Sequence, residues 1–374
     1  QIPATSIKNI EIITNPSAKY DPEGTGGIIN IITKKNALMG MSGIVHLNGG
    51  LYDKYGGDFQ LNYKTRDMKF FIGGDYDHER EPGSMKLENR TYSGDTTFYL
   101  TTDGTNREIE QDYGARAGFE WYMNEKSTFS LSGRYGGGSD NDLSNTTYYE
   151  WNTFSNGKND YDSEQDNIRD YEYFALNSHY TYEFDSTEHK LDADLMLFTF
   201  QGGEDNENFL YTENDLVQSG QKSLEGGPSQ GLEYRLNYKQ PFSKLIKIEI
   251  GAQGRFRNSE EWNEMYYYNT SSDNFDFQEQ FSHESNYDRS IHAGYGLVKG
   301  EYNNLSYQLG LRGEYTYRNI SIASRDENYK INRWDFFPTF HASYQLPEKH
   351  QLMASYTRRI DRPRSWFMEP FFTW

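Results

Sequence analysis

The chain has 374 residues, with 37 Lys+Arg against 56 Asp+Glu and a formal charge of −19. That balance argues against a nucleic-acid binder, because neutralising phosphates needs clustered Lys and Arg. The lack of Cys excludes disulfides, thiolate metal sites and cysteine nucleophiles. Leu, Ile, Val and Phe make up under a fifth of the chain, which with this charge suggests disorder; 32 Tyr, 23 Phe and 6 Trp oppose that reading. No apolar run reaches the roughly eighteen residues that a membrane-spanning helix needs.

The first segment, up to about residue 40, is rich in isoleucine. Seven of the chain's 21 Ile fall within 10–13 and 28–32. Two strands are expected, at 9–14 and 27–33, joined through Asn15-Pro16-Ser17 and the Gly24–Gly27 turn. Their continuous apolar runs suit strands covered on both faces.

From residue 41 a period of two takes over. In 305–318, Leu305, Tyr307, Leu309, Leu311, Gly313, Tyr315 and Tyr317 alternate with Ser306, Gln308, Gly310, Arg312, Glu314, Thr316 and Arg318. The stretches 113–123, 232–239 and 246–253 repeat the pattern. Thirteen strands are expected, at 41–51, 57–65, 68–78, 112–123, 128–137, 170–184, 189–200, 230–239, 245–256, 288–302, 304–317, 332–345 and 350–358. Short polar turns near Arg66-Asp67, Asn124–Ser127, Asp185–Glu188, Gln240–Lys244, Asn303-Asn304 and Leu346–Lys349 alternate with long stretches read as irregular: 79–111, 138–167, 202–229, 258–288 and 318–331. Compact soluble domains avoid repeated loops of that length. Short turns at one end and long connections at the other are the signature of a transmembrane antiparallel β-barrel, all-β, with apolar residues outward and polar ones inward. A soluble β-sandwich needs a Val/Ile/Leu-rich interior, and this chain has three Val. A mean hydropathy of −0.94 fits a barrel whose lumen and loops are polar. Trp121, Tyr302, Tyr315, Tyr317 and Tyr344 near strand ends suit interfacial girdles.

Nothing points to catalysis. The eight His are scattered without metal-ligand spacing, Gly24-Thr25-Gly26-Gly27 lacks the phosphate-loop pattern, and no Gly-x-Ser-x-Gly elbow occurs. No catalytic residue, metal site or cofactor is therefore expected, and the chain is read as a non-enzyme. The acidic stretches 204–215 and 260–284 read either as solvated surface or as ligand contacts. In the second, Trp262, Tyr266, Tyr267 and Tyr268 are the candidate ligand-binding residues, since aromatics among carboxylates can stack on a sugar or hold a cation.

The run from Ile7 to Tyr20, continued by Gly24-Thr25-Gly26-Gly27-Ile28-Ile29-Asn30-Ile31-Ile32-Thr33-Lys34-Lys35, resembles the end of the plug of a TonB-dependent outer-membrane receptor. Asn15, Pro16, Tyr20, Gly24, Gly26, Gly27 and Asn30 carry the match. Asn15-Pro16 stands where the family commonly has Arg-Gly-Pro, so no role of that arginine transfers. This variant, with Ser355-Tyr356-Thr357-Arg358-Arg359-Ile360-Asp361-Arg362-Pro363, is similar to the Bacteroidetes branch.

The resemblance implies that residues 1–40 are the C-terminal part of a plug domain and 41–374 the N-terminal portion of an outer-membrane β-barrel. An odd strand count, with Pro363 and Pro370 in the tail, suggests a truncated chain. The resemblance further implies import of an iron chelate, cobalamin or glycan across the outer membrane of a Gram-negative bacterium. The implied partners are a TonB–ExbB–ExbD complex, outer-membrane lipid and a small-molecule or glycan ligand. Two alternatives remain: a passive or adhesive barrel, which would ignore TonB, and a soluble glycan-binding β protein, which would need no detergent.

Overall fold

The computed structural model describes residues 7–13, 16–24, 27–33, 39–154, 157, 159–185, 188–243, 245–323 and 327–363. Two strands, β1 (Ile7–Ile13) and β2 (Ile28–Thr33), form a small antiparallel sheet in which Ile10 lies opposite Ile31 and Glu11 opposite Asn30. The rest is one 14-stranded antiparallel sheet. Its members are β3 (Gly40–Gly49), β4 (Tyr55–Lys64), β5 (Met68–Ser93), β6 (Thr96–Asn124), β7 (Ser127–Asn152), β8 (Asn159–Glu183), β9 (Lys190–Thr212), β10 (Val217–Pro241), β11 (Ile246–Asn269), β12 (Asn274–Phe277), β13 (His283–Tyr302), β14 (Leu305–Ile322), β15 (Glu327–Gln345) and β16 (Gln351–Thr357). Strands lie side by side in chain order from β3 to β16, and β12 folds back on β11 alone. Each of the thirteen strands read from the alternation has its counterpart. The six short polar turns connect strands where expected.

Two expectations fail. The first concerns β1 and β2, where Ile10, Ile12, Ile29 and Ile31 are exposed, Ile12 by 75% and Ile29 by 69%. A two-stranded ribbon has no third layer, so its faces remain open. The second concerns the long stretches read as irregular, which are regular hairpins: β5 and β6 stay paired from Met68↔Trp121 to Ser93↔Thr96, and β7 and β8 from Ser127↔Tyr182 to Glu150↔Asn159. Both faces of these extensions carry mostly polar residues. Apolar alternation, the only strand signal used for the wall, has no reason to persist there. Cross-strand aromatic stacking holds them instead, with Tyr99 on Trp151 at 5.1 Å and Tyr148 on Tyr161 at 4.9 Å. Such pairs contribute about 0.5–1.5 kcal/mol each.

The wall of the sheet inverts the burial of a water-soluble protein. Along β14, Arg312, Glu314, Thr316 and Arg318 are buried, while Leu309 and Leu311 are half exposed. Along β15, Asp335, Phe337 and Thr339 are buried, whereas Trp334 and Phe336 point into the open. Side chains alternate across a strand, so one face carries this polar and partly buried set, here called the inner face. The other carries the apolar residues. Trp121, Tyr302 and Tyr344 stand exposed on that outer face beside the short turns.

Candidate functional site

The inner face of β11 to β15 is covered where residues 16–24 cross it. Ser17 and Tyr20 close a turn, with the Tyr20 N–H donating to the Ser17 carbonyl at 3.0 Å. This presses Ala18, 2% exposed, onto the wall. The contact requires a glycine beneath it, because a Cβ built on Gly310 would stand 2.8 Å from the Ala18 Cβ and 2.6 Å from Thr339 Oγ1. Three residues further on, the segment pairs with the chain that follows β16. Gly24 N–H donates to the Ile360 carbonyl and Ile360 N–H to the Pro22 carbonyl, both at 3.2 Å, making a parallel bridge between Glu23 and Ile360.

Charge complementarity fixes the seam. Lys19 Nζ lies 2.9 Å from Glu249 on β11, which Lys299 of β13 also approaches at 3.6 Å. Asp21 pairs with Arg255, and Glu23 lies 3.8 Å from Arg255 and 3.6 Å from Arg362. Behind these sits a pair out of solvent: Arg312 Nε donates to Glu314 Oε1 at 2.7 Å and Arg362 Nη2 to Glu314 Oε2 at 2.5 Å. Arg312 Nη2 donates to Gln253 Oε1 at 3.0 Å. The Arg312 and Glu314 side chains are 1% and 0% exposed. A buried carboxylate between two guanidinium groups is stable only while both stay in place, since removing one partner from a buried pair costs about 3–5 kcal/mol. Beside the cluster, Tyr295 Oη donates to Asn237 Oδ1 at 2.9 Å, its ring lying over Gly251, where any Cβ would collide with it. The seam is therefore held by ion pairs as well as by the backbone bridge to Ile360. Among the described residues no three His, Asp or Glu converge to hold a metal ion.

The structure sorts the residues singled out from the sequence. Pro16 is buried and Tyr20 half-buried within the seam segment, Gly24 takes φ +88°, Gly27 takes φ +83° just before β2, and Asn30 sits in the β1–β2 ladder. Asn15 and Gly26 lie outside the described residues. The aromatic run does not converge on one surface. By register with β10, Trp262, Tyr266 and Tyr268 share the outer face of β11, and Tyr267 alone takes the inner face. Tyr268 packs edge-on to Phe209 and Phe275, at 5.3 and 5.5 Å, while Tyr267 meets Phe281 at 5.9 Å. Tyr266 donates to Glu264 at 2.7 Å.

Of the residues that make the seam, Arg312, Glu314 and Gln253 read from the sequence only as the polar face of strands, and Arg255 carries no reading of its own. Two opposite charges two apart on one strand face, with Arg362 in an already notable motif, were the available signal.

A family model described as an outer membrane protein β-barrel family matches residues 182–374. The chain belongs to that family. It is an outer-membrane protein, and the apolar outer face of its wall is the face that lipid covers. Among solved structures, the ferric citrate transporter FecA in its unliganded form is similar to it, with a TM-score of 0.51 and 14% identity over 94% of this chain and 49% of FecA. The ferric yersiniabactin uptake receptor FyuA from Yersinia pestis matches with a TM-score of 0.29 and 9% identity, over 94% of this chain and 73% of that one. A point mutant of the ferric enterobactin receptor PfeA from Pseudomonas aeruginosa matches with a TM-score of 0.27 and 9% identity, over 95% and 80%. The chain thus spans about half the length of FecA, with which it shares the barrel fold. No curated protein matches the sequence at a significant level.

Proposed function

We propose that this chain is the plug end and first barrel portion of a TonB-dependent outer-membrane receptor, an active importer rather than an enzyme. Residues 1–40 belong to the plug and 41–374 to the barrel. The observation that carries the reading is the seam: residues 16–24, which resemble the end of such a plug, are ion-paired to the inner face of an outer-membrane wall. The outer membrane has no ATP, so energy for uphill import must arrive through a protein partner, here a TonB–ExbB–ExbD complex driven by the proton gradient. A pull transmitted along the β1–β2 ladder reaches the seam first, because residues 16–24 connect the two strands. The ligand is one too scarce or too bulky for passive entry, of the iron-chelate, cobalamin or glycan kind.

The test is ligand uptake by the intact parent receptor in cells with and without TonB, under iron, cobalamin and glycan limitation. A defect confined to one limitation and to cells lacking TonB supports the proposal and identifies the ligand. Uptake indifferent to TonB in every medium overturns it and favours a passive or adhesive barrel. Within the same assay, Ile10→Pro or Ile31→Pro should abolish uptake while surface exposure persists, because either breaks the ladder through which the pull passes. Retained uptake would remove the mechanical role.

A further inference from the structure

Above the membrane the inner face changes character. Two rows of carboxylates run across three strands in direct register, Glu79↔Glu110↔Asp140 and Glu81↔Glu108↔Asp142. Strand neighbours are about 4.8 Å apart and successive rows about 7 Å. Like charges placed directly opposite on one face are destabilising. Bases flank these rows without filling them. Lys54 holds Glu79 and Glu81 at one margin, and Arg169 reaches Asp140 at 3.5 Å and Glu204 at 3.0 Å at the other. Among the described residues no base forms an ion pair with Glu108, Glu110 or Asp142. Burial, reinforced by Asp140 and Asp142, raises the Glu108 carboxyl above its ordinary range; burial and Asp112 do the same to Glu110.

A second observation points to an occupant. Asn167 on β8 lies opposite Asp142 in the second row and is 9% exposed, and its Oδ1 is buried with no hydrogen-bond partner. A buried carbonyl oxygen left unpaired costs about 1–3 kcal/mol. It stands beside Asp142 Oδ1 and Asp140 Oδ1, which are buried and unpartnered as well. A surface of carboxylates with an unpaired amide oxygen calls for a ligand rich in donors. The carboxylates are spread at strand spacing and do not converge on a point, so the spacing fits separated ammonium or guanidinium groups better than one metal ion.

We propose that this face captures a small organic polycation, a molecule of the polyamine class carrying two or more ammonium groups along a flexible chain. One ammonium lies between Asp142 and Asn167 and donates to both, including Asn167 Oδ1; the next lies between Glu108 and Glu110. The proposal rests on the receptor reading but sets a cationic ligand in place of the iron-chelate, cobalamin and glycan kinds named there, scarcity rather than bulk being the reason for active import, and the same face repels anionic chelates.

The experiment is titration calorimetry on the complete parent receptor in detergent, with spermine, calcium chloride and ferric citrate as separate probes. The variants are Glu108→Gln/Asp142→Asn and Asn167→Leu. Glu207→Gln serves as the control, since its register with Asp166 places it on the outer face at the same height. Replacing carboxylates by amides of the same shape relieves repulsion, so the double variant keeps its fold, which the heat-modifiable band on a gel checks. Spermine should bind the native receptor and the Glu207→Gln control alike, and weaken roughly tenfold or more in the double variant, with a smaller loss for Asn167→Leu. Equal spermine binding by native receptor and double variant overturns the proposal. So does binding of calcium without spermine, or ferric citrate bound as tightly as spermine. Binding in detergent involves no TonB, so a failure of TonB-dependent uptake leaves this result standing, and the converse also holds.

Discussion

Glu314 is the residue on which the seam turns. It is fully buried and accepts from both Arg312 and Arg362, so Glu314→Gln strands two guanidinium groups in a place without water. The expected outcome is that residues 16–24 come away from the wall, which limited trypsin digestion reads directly: Lys19, ion-paired to Glu249 in the native protein, becomes a cleavage site. Unchanged protection of Lys19 would show that the backbone bridge to Ile360 suffices. A milder electrostatic effect sits at the short turn between β8 and β9. Hydrogen bonds first to Lys239 and then to Lys247 hold the Glu188 carboxyl at about 2. A carboxyl lowered on folding stabilises the protein above its ordinary range, and that contribution is lost as the pH falls towards 2. Glu188 is highly exposed, so the effect is small. The melting temperature of Glu188→Gln should trail the native value at neutral pH, and the gap should close between about pH 4 and pH 2.

At the scale of the strand, what could be read from the sequence depended on which solvent each face meets. The wall portions were legible because lipid on one side and a polar lumen on the other impose strict alternation, as in Leu309, Leu311 and Gly313 against Gln308, Arg312 and Glu314. The extensions were not legible: in 138–152 and 159–169 both faces are polar, and Ser, Asp, Asn and Thr recur on either. Strand β12 has only four residues, too few for any period, and its partner Tyr266–Asn269 had looked like part of a loop. The seam escaped for another reason. Which inward polar residue meets the crossing segment depends on pairings such as Gly310 with Ala18, nearly three hundred positions apart. A strand-scale prediction separates the outer-membrane wall from any soluble sheet. Leu311 is 53% exposed, so in water Leu311→Arg would be harmless. Facing lipid, it should cost about 2–4 kcal/mol near the bilayer midplane, measured by denaturant titration in lipid vesicles. Gln308→Arg on the inner face serves as the comparison and should cost far less.

For the whole molecule, the sheet is open. Among the described residues β3 and β16 each lack a partner along one edge, and the chain spans about half of FecA. Unpaired backbone groups are not tolerated in hydrocarbon, where each costs several kcal/mol. Residues 1–374 expressed alone should therefore give no monomeric heat-modifiable band, whereas the complete parent should; a folded monomer from this piece would mean that β3 and β16 can close on each other. The hairpins beyond the wall affect the molecule differently. The longest strand, β6, has 29 residues and so extends roughly 100 Å, of which a membrane crossing uses only about 9–11 residues. The remainder stands clear of the bilayer as a stiff multi-stranded mast, because β6 stays paired with β5 up to Ser93↔Thr96 and with β7 up to Phe98↔Asn152. A diffusing molecule meets a tall target more often than a flush one, because arrival by diffusion grows with the linear reach of the absorber. A molecule that touches anywhere along a charged mast can then slide towards its base. Shortening the ribbons would therefore slow encounter while leaving the affinity at their feet unchanged.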